Sequence, residues 1–115
     1  MESIISDFKD VVVSDQASFG ETLKRMNHHN KSIALVADKN NRLLGILTDD
    51  DIRKAILEGV TPKDNVQKAM NKTPFCLKPG YADGEMVRLM MENNIVHLPI
   101  VDQQTILKGI IFYHS

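Results

Sequence analysis

Apolar and polar positions follow one order along this chain, and the order occurs twice. Ile33-Ala34-Leu35-Val36 and Leu98-Pro99-Ile100-Val101 are continuous apolar runs, each followed by a polar stretch, Asp38 to Asn41 or Asp102 to Thr105. A second run follows, Leu44-Gly45-Ile46-Leu47 or Lys108-Gly109-Ile110-Ile111. Short runs bounded by turn residues predict two strands of a hairpin. Ahead of each hairpin, Val11-Val12-Val13 or Phe75-Cys76-Leu77 predicts a shorter strand. Helical spacing lies between them: Phe19, Leu23 and Met26 in the first copy, Met86, Met90 and Val87 in the second. Ser18-Phe19-Gly20-Glu21 has the form of a capping box, with Ser18 bonding forward and Glu21 reaching back. Ala82 stands where Ser18 does, which predicts a weaker cap. A further helix is predicted from Asp49 to Leu57, with Ile52, Ala55 and Ile56 as its apolar face and Gly59 and Pro62 ending it. Gly59 to Asn65 reads as a linker, and Val66 to Met70 as one helical turn. Pro99 cannot donate within a sheet and is expected at the edge or start of its strand.

The two copies align without a gap when the chain is displaced by 64 residues, the step from Gly20 to Gly84. Glu21 then meets Glu85, Met26 meets Met90, Asn30 meets Asn94, Asp38 meets Asp102, and Leu43, Gly45 and Ile46 meet Leu107, Gly109 and Ile110. Such a period marks an internal repeat. The order β-α-β-β-α, read twice, predicts an α/β (α+β) fold with small sheets. One unit of about 50 residues buries too little surface to stand comfortably alone. A pair packed through its sheets about a pseudo-twofold axis is therefore expected. Ser115 falls in register with Asp51, so the second unit stops where its final helix should begin, and a longer parent chain is expected.

Composition adds exclusions. The chain has 115 residues, 43% hydrophobic and 25% charged, which is a globular balance. Fourteen basic and 15 acidic residues give a formal net charge of −1, with no basic excess of the kind that nucleic-acid binding needs. Its single cysteine, Cys76, excludes an internal disulfide and a multi-cysteine zinc site. The apolar runs are too short to span a bilayer, and the N-terminus lacks a signal-peptide pattern. A soluble, reducing, cytoplasmic setting is expected. No nucleophile elbow, P-loop or His-Glu-x-x-His motif appears, so no catalytic residue and no required cofactor is assigned.

The informative run is Thr48 to Asp51. It reads as a helix start, with Thr48 as cap and Asp51 answering from the third position. The same joint leaves backbone N–H groups pointing outward. There a carboxylate can accept both vicinal hydroxyls of a ribose, and a threonine can reach a phosphate oxygen. Arg53 is the nearest cation to balance the acids and Lys54 the next; Arg53 could equally pair with Glu58 or Asp49 on a solvated face. A metal ion at Asp49, Asp50 and Asp51 is disfavoured, because consecutive helical residues point in different directions. His28 and His29 read as exposed helix-end residues without metal-ligand spacing.

Three segments together resemble a tandem pair of cystathionine-β-synthase (CBS) domains over almost the whole chain. They are Leu98-Pro99-Ile100-Val101-Asp102, the run from Leu43 to Arg53, and Met70-Asn71-Lys72-Thr73-Pro74. The resemblance divides the chain into a first CBS repeat at 1–59, a linker and approach at 60–73, and a second repeat at 74–115 without its last helix. In that family Gly-h-h-Ser/Thr-x-x-Asp (h apolar) binds adenosine nucleotides, and Gly45, Thr48 and Asp51 match it. Phe75 and Cys76 then stand where a base would be flanked, with core packing as their other reading. His97 lies near the family's cleft-facing basic residues, with a strand-edge histidine as its other reading. Phe112 replaces Thr48 and Ser115 replaces Asp51 in the second copy, so one ligand per chain is expected.

The stretch from Gly45 to Arg53, with Leu57, Gly59 and Met70 to Pro74, is similar to CBS pairs fused ahead of sugar-phosphate nucleotidyltransferases. The resemblance implies a regulatory module that senses an adenosine nucleotide (AMP, ADP or ATP) and controls a linked catalytic domain. A homodimer through the helical faces is expected with it. The other readings are a structural dimerisation module with a vestigial site, in which Met86, Met90 and Met91 serve as core or interface, and a free-standing CBS protein acting on a separate target.

Overall fold

A computed structural model describes residues 2–5, 8–29 and 31–113 of the chain, with side chains from 8 to 112 apart from 30; Ser115 lies outside the described residues. The strands are β1 (Glu2–Ile5), β2 (Val12–Ser14), β3 (Ile33–Ala37), β4 (Leu43–Thr48), β5 (His97–Val101) and β6 (Leu107–Tyr113). The helices are α1 (Phe19–His29), α2 (Asp49–Leu57) and α3 (Asp83–Glu92). The architecture is mixed α/β, in two compact units: residues 9–74, and residues 75–115 together with 1–8.

In the unit of residues 9–74 the sheet order is β2-β3-β4, with β2 parallel to β3 and β3 antiparallel to β4. Every residue of β3 is buried, as a central strand covered on both faces requires. Its core is Val13, Phe19, Met26, Ala34, Val36, Leu47, Ala55, Val66 and Ala69. Leu23 and Ile52 pack against it, but Ile56 is 57% exposed. Ala55 and Ile52 suffice to cover the sheet, and Ile56 faces away. The Ser18 box is formed: the Glu21 N–H donates to Ser18 Oγ at 3.0 Å, and the Ser18 N–H donates to Glu21 Oε1 at 3.2 Å. Gly59 has φ +90° just past the helix, where an L side chain would be strained. Residues 60–73 pack on this unit. The Phe19 N–H donates to the Asp64 carbonyl at 2.7 Å, the Gly20 N–H to the Pro62 carbonyl at 2.9 Å, and Val66 is fully buried in a 3₁₀ turn, Val66–Lys68.

The other unit repeats this plan at the 64-residue step. β5 and β6 pair antiparallel, with their irregularity between Ile100 and Val101, as β3 and β4 have theirs between Val36 and Ala37. The hairpin turns match as well. Asp38 Oδ1 accepts from the N–H groups of Asn40 and Arg42, and Asp102 Oδ1 accepts from those of Gln104 and Ile106. Asn41 (φ 66°) and Thr105 (φ 63°) take the same left-handed place.

Two differences have physical causes. The Val13–Val36 pairing of β2 recurs as a single Leu77–Ile100 bridge. The Pro99 carbonyl accepts from the Leu77 N–H at 2.9 Å, so the missing proline donor faces the same side and the pairing cannot extend there. The edge placement expected for Pro99 is met. The second difference is β1, which pairs antiparallel with β6 from Glu2–Tyr113 to Ile5–Ile110 and completes the order β1-β6-β5.

On α3, Met86 and Met90 are buried as expected, but Val87 is 46% exposed; the partly buried Leu89 takes its place in the stripe. Ala82 is the N-cap and provides no side-chain bond. Since Glu85 already stands at the third position, Ala82→Ser is expected to restore the box and stabilise the protein by about 1 kcal/mol. Urea denaturation checks this, and an unchanged midpoint would reject it.

Candidate functional site

The site begins where β4 becomes α2. Thr48 has extended φ/ψ (−116°, 177°), and the helix opens on Asp49-Asp50-Asp51. Carboxylates are favoured there by the helix dipole. The Thr48 N–H and Thr48 Oγ1 both donate to Asp51 Oδ2, each at 2.9 Å. The single hydroxyl proton of Thr48 is committed to Asp51. The clamp orients the carboxylate through one oxygen; Asp51 Oδ1 has no hydrogen-bond partner among the described residues.

Asp51 lines an open groove of about 470 Å³ with Lys54, Ala55 and Glu58 of α2 and with residues 68–72. That far wall is held to β4 by two backbone bonds. The Ile46 N–H donates to the Asn71 carbonyl at 3.0 Å, and the Asn71 N–H donates to the Ile46 carbonyl at 2.8 Å. Asn71 Oδ1 in turn accepts from the Thr73 N–H at 3.0 Å. Gly45 permits the approach: a Cβ there would stand 2.6 Å from the Asn71 carbonyl oxygen and 2.7 Å from Met70 Sδ. Gly45 therefore faces the groove's own wall.

Arg53 pairs with Asp50, not with Glu58 or Asp49, and the pair is exposed. An acid three residues back is reached by a side chain on the same helical face. Asp49 belongs to a separate hollow, with Leu23, Met26, Asn27, Lys31, Ser32 and Ile52. Among the described residues no group of three or more His, Cys, Asp or Glu has metal-holding geometry.

The remaining candidates lie in the other unit. Phe75 is 49% exposed, so its core-packing reading fails. Cys76 is half-buried, and burial pushes its thiol pKa up. His97 opens β5 opposite Phe112, ring on ring edge-to-face at 5.2 Å. In the first copy that register pairs Ile33 with Thr48. The second copy thus has an aromatic pair where the first has its capping hydroxyl. The structure brings Gly45, Thr48 and Asp51 to one strand-helix joint. Sequence reading missed the places of Lys54, Glu58, Met70 and Asn71 along the groove. The spacing of Asp51, Lys54 and Glu58 along α2 and the run from Met70 to Pro74 were their legible signals.

Two copies of the CBS domain match the chain, at residues 5–58 and 63–114. The chain belongs to the CBS domain family. This CBS pair is 36% identical over 104 residues to an inosine-5′-monophosphate dehydrogenase of Methanocaldococcus jannaschii, a match covering 90% of the chain and 20% of that enzyme. The chain spans 20–32% of the length of the curated relatives that share this identity. Among solved structures it is similar to CBSX2 in complex with AMP (TM-score 0.79, 22% identity, 94% of this chain and 85% of that one). It is also similar to a CBS domain pair in complex with 5′-methylthioadenosine and S-adenosyl-L-methionine (TM-score 0.77, 22% identity, 97% and 90%). At these identities the likeness is one of fold. Among the described residues no helix is long and apolar enough to cross a membrane.

Proposed function

We propose that this CBS pair is a regulatory, non-catalytic module that binds an adenosine nucleotide at the joint of β4 and α2, one molecule per chain. The observation that carries the reading is the Asp51 carboxylate, oriented through Oδ2 by Thr48 while Oδ1 stays open beside a groove. A carboxylate so placed accepts ribose hydroxyls without losing its cap. Family membership supports it, as do the adenosine-type ligands of the similar structures. Phe75, Cys76 and His97 are the residues we propose for the base side. The single site follows from Phe112, which offers no hydroxyl where Thr48 does.

We further propose that the module controls a catalytic domain on the same polypeptide. That a dehydrogenase chain much longer than this one carries a similar segment supports the arrangement. A sugar-phosphate nucleotidyltransferase as that domain rests on the resemblance of Gly45 to Arg53 alone. A cytoplasmic setting and a homodimer through helical faces complete the proposal. The exposed Ile56 (57%), Leu57 (83%) and Met91 (68%) support the dimer and favour, as second reading, a purely structural association module.

Calorimetry with AMP, ADP, ATP, S-adenosylmethionine and GTP separates the two. Saturable one-site binding is expected, weakened about tenfold to a hundredfold by Asp51→Ala, since a hydrogen bond to a charged group contributes about 1.5–3 kcal/mol. Asp51→Asn keeps the acceptor for Thr48 and tests the charge. No binding at millimolar concentration by a stable dimer would leave the structural reading standing.

A further inference from the structure

A hollow separate from the Asp51 groove lies between α1 and α2, at the end where β3 and β4 leave their pairing. Ile33 pairs with Thr48 there, so the next residues outward, Ser32 and Asp49, emerge side by side. The hollow measures about 380 Å³, at the small end of the roughly 300–1,000 Å³ usual for ligand sites. Its floor is aliphatic: Met26 is buried, and Leu23 and Ile52 are partly buried. Its rim is polar and exposed, with Asn27 on α1, Lys31 and Ser32 in the turn that follows, and Asp49 opening α2.

Among the described residues, Lys31 and Asp49 are the charged groups that line this hollow, one of each sign. They do not pair with each other, and neither the Asp49 carboxylate nor the Asn27 side-chain amide has a partner among the described residues. The fold does not require this polar set. At the 64-residue step Asn27, Lys31 and Ser32 become Met91, Ile95 and Val96, and Asp49 becomes Tyr113, yet the hairpin between them keeps its register. Balanced charge gives a phosphate or a metal ion no advantage here, whereas a molecule carrying both signs can meet both residues. We propose that the hollow binds a free α-amino acid with an aliphatic side chain. The Asp49 carboxylate accepts from its ammonium, and the Lys31 ammonium donates to its carboxylate. Asn27 and Ser32 supply further hydrogen bonds at the rim, and the side chain lies on Leu23, Met26 and Ile52. This site does not depend on the nucleotide reading, because none of its residues lines the Asp51 groove.

The test is an NMR titration of the amide-labelled chain with L-leucine. The controls are glycine, isocaproate (leucine without its ammonium) and isoamylamine (leucine without its carboxylate). Saturable shifts are expected at the amides of Asn27, Lys31, Ser32 and Asp49, with each control bound about fivefold to tenfold more weakly than leucine. Asp49→Asn should weaken leucine by a similar factor and leave isocaproate unchanged. Lys31→Gln should weaken leucine and leave isoamylamine unchanged. Both side chains are exposed, so the variants should fold as the wild type does. Isocaproate or isoamylamine binding as tightly as leucine would reveal a merely apolar hollow and overturn the zwitterion. Glycine binding as tightly as leucine would overturn the aliphatic side chain. No saturable shift at these amides up to the solubility limit of leucine overturns the site itself, whatever the outcome with nucleotides.

Discussion

Replacing Gly45 by alanine is expected to destabilise the protein by roughly 3 kcal/mol in the absence of any nucleotide. The new methyl carbon would stand 2.6 Å from the Asn71 carbonyl oxygen, 2.7 Å from Met70 Sδ and 2.9 Å from Met70 Cγ. Met70 can move, because a methionine side chain is flexible. The Asn71 oxygen is backbone and accepts from the Ile46 N–H, so relief means pushing residues 70–72 off β4. Overpacking costs about 1–3 kcal/mol, and the two Ile46–Asn71 bonds contribute about 1 kcal/mol each. In a domain of this size 1 kcal/mol moves Tm by about 4–8 °C, so the unfolding temperature followed by circular dichroism should fall by about 12–24 °C. Adding Met70→Ala should recover part of the loss, since it removes the two side-chain contacts and leaves the backbone one. Were Gly45 needed only to let a ligand approach, the ligand-free protein would unfold at the wild-type temperature, and that result would reject the role assigned here.

The same glycine shows what a sequence can and cannot disclose. Gly45 and Gly109 fall at one register of the repeat, so their place on the second hairpin strand is legible from spacing alone. That Gly45 abuts Met70 and Asn71 is not, because the contact joins segments 25 residues apart whose pairing is a single bridge. Local chemistry was readable at the caps and the hairpin turns. Ser18 and Glu21 form the box their spacing implies, α2 spans Asp49–Leu57, and both hairpin turns use an aspartate that accepts from N–H groups two and four residues on. β1 escaped because pairing with β6 links the two ends of the chain, and nothing local in Glu2–Ile5 specifies that partner. Ile56 and Val87 were misplaced because helical spacing defines a stripe wider than the sheet beneath needs.

At the site, the cap reading and the ligand reading of Thr48 and Asp51 turn out not to compete. Asp51 satisfies Thr48 with Oδ2 and leaves Oδ1 outward. A motif gives residue types and spacing but not which of two oxygens is occupied. Nor does it say that the Thr48 hydroxyl donates to that same Oδ2. Residues 68–72 line the groove because they fold back along α2.

Phe19→Ala is expected to cost about 3–5 kcal/mol, the usual range for emptying a buried aromatic site. Phe19 is 1% exposed, at the first turn of α1, among Val13, Met26, Leu47, Val66 and Ala69. Its ring therefore joins the strand before the helix, the strand that leads to Thr48, and the turn that leads to Met70. The residue's N–H still donates to the Asp64 carbonyl after substitution, so the variant isolates the side chain. Without the ring, Val66 and Ala69 lose a packing surface and are held mainly by backbone bonds. Segments with few buried contacts open first, so trypsin cleavage after Lys63 and Lys68 should accelerate well below the unfolding midpoint, while cleavage after Arg88 in the other unit changes less. Phe19→Leu, which keeps most of the apolar volume, should do much less on both measures. A loss under about 1 kcal/mol in urea denaturation, with cleavage at Lys63 and Lys68 unchanged, would show that the 60–70 segment is anchored without Phe19, and that the wall of the Asp51 groove depends on its backbone bonds to β4 alone.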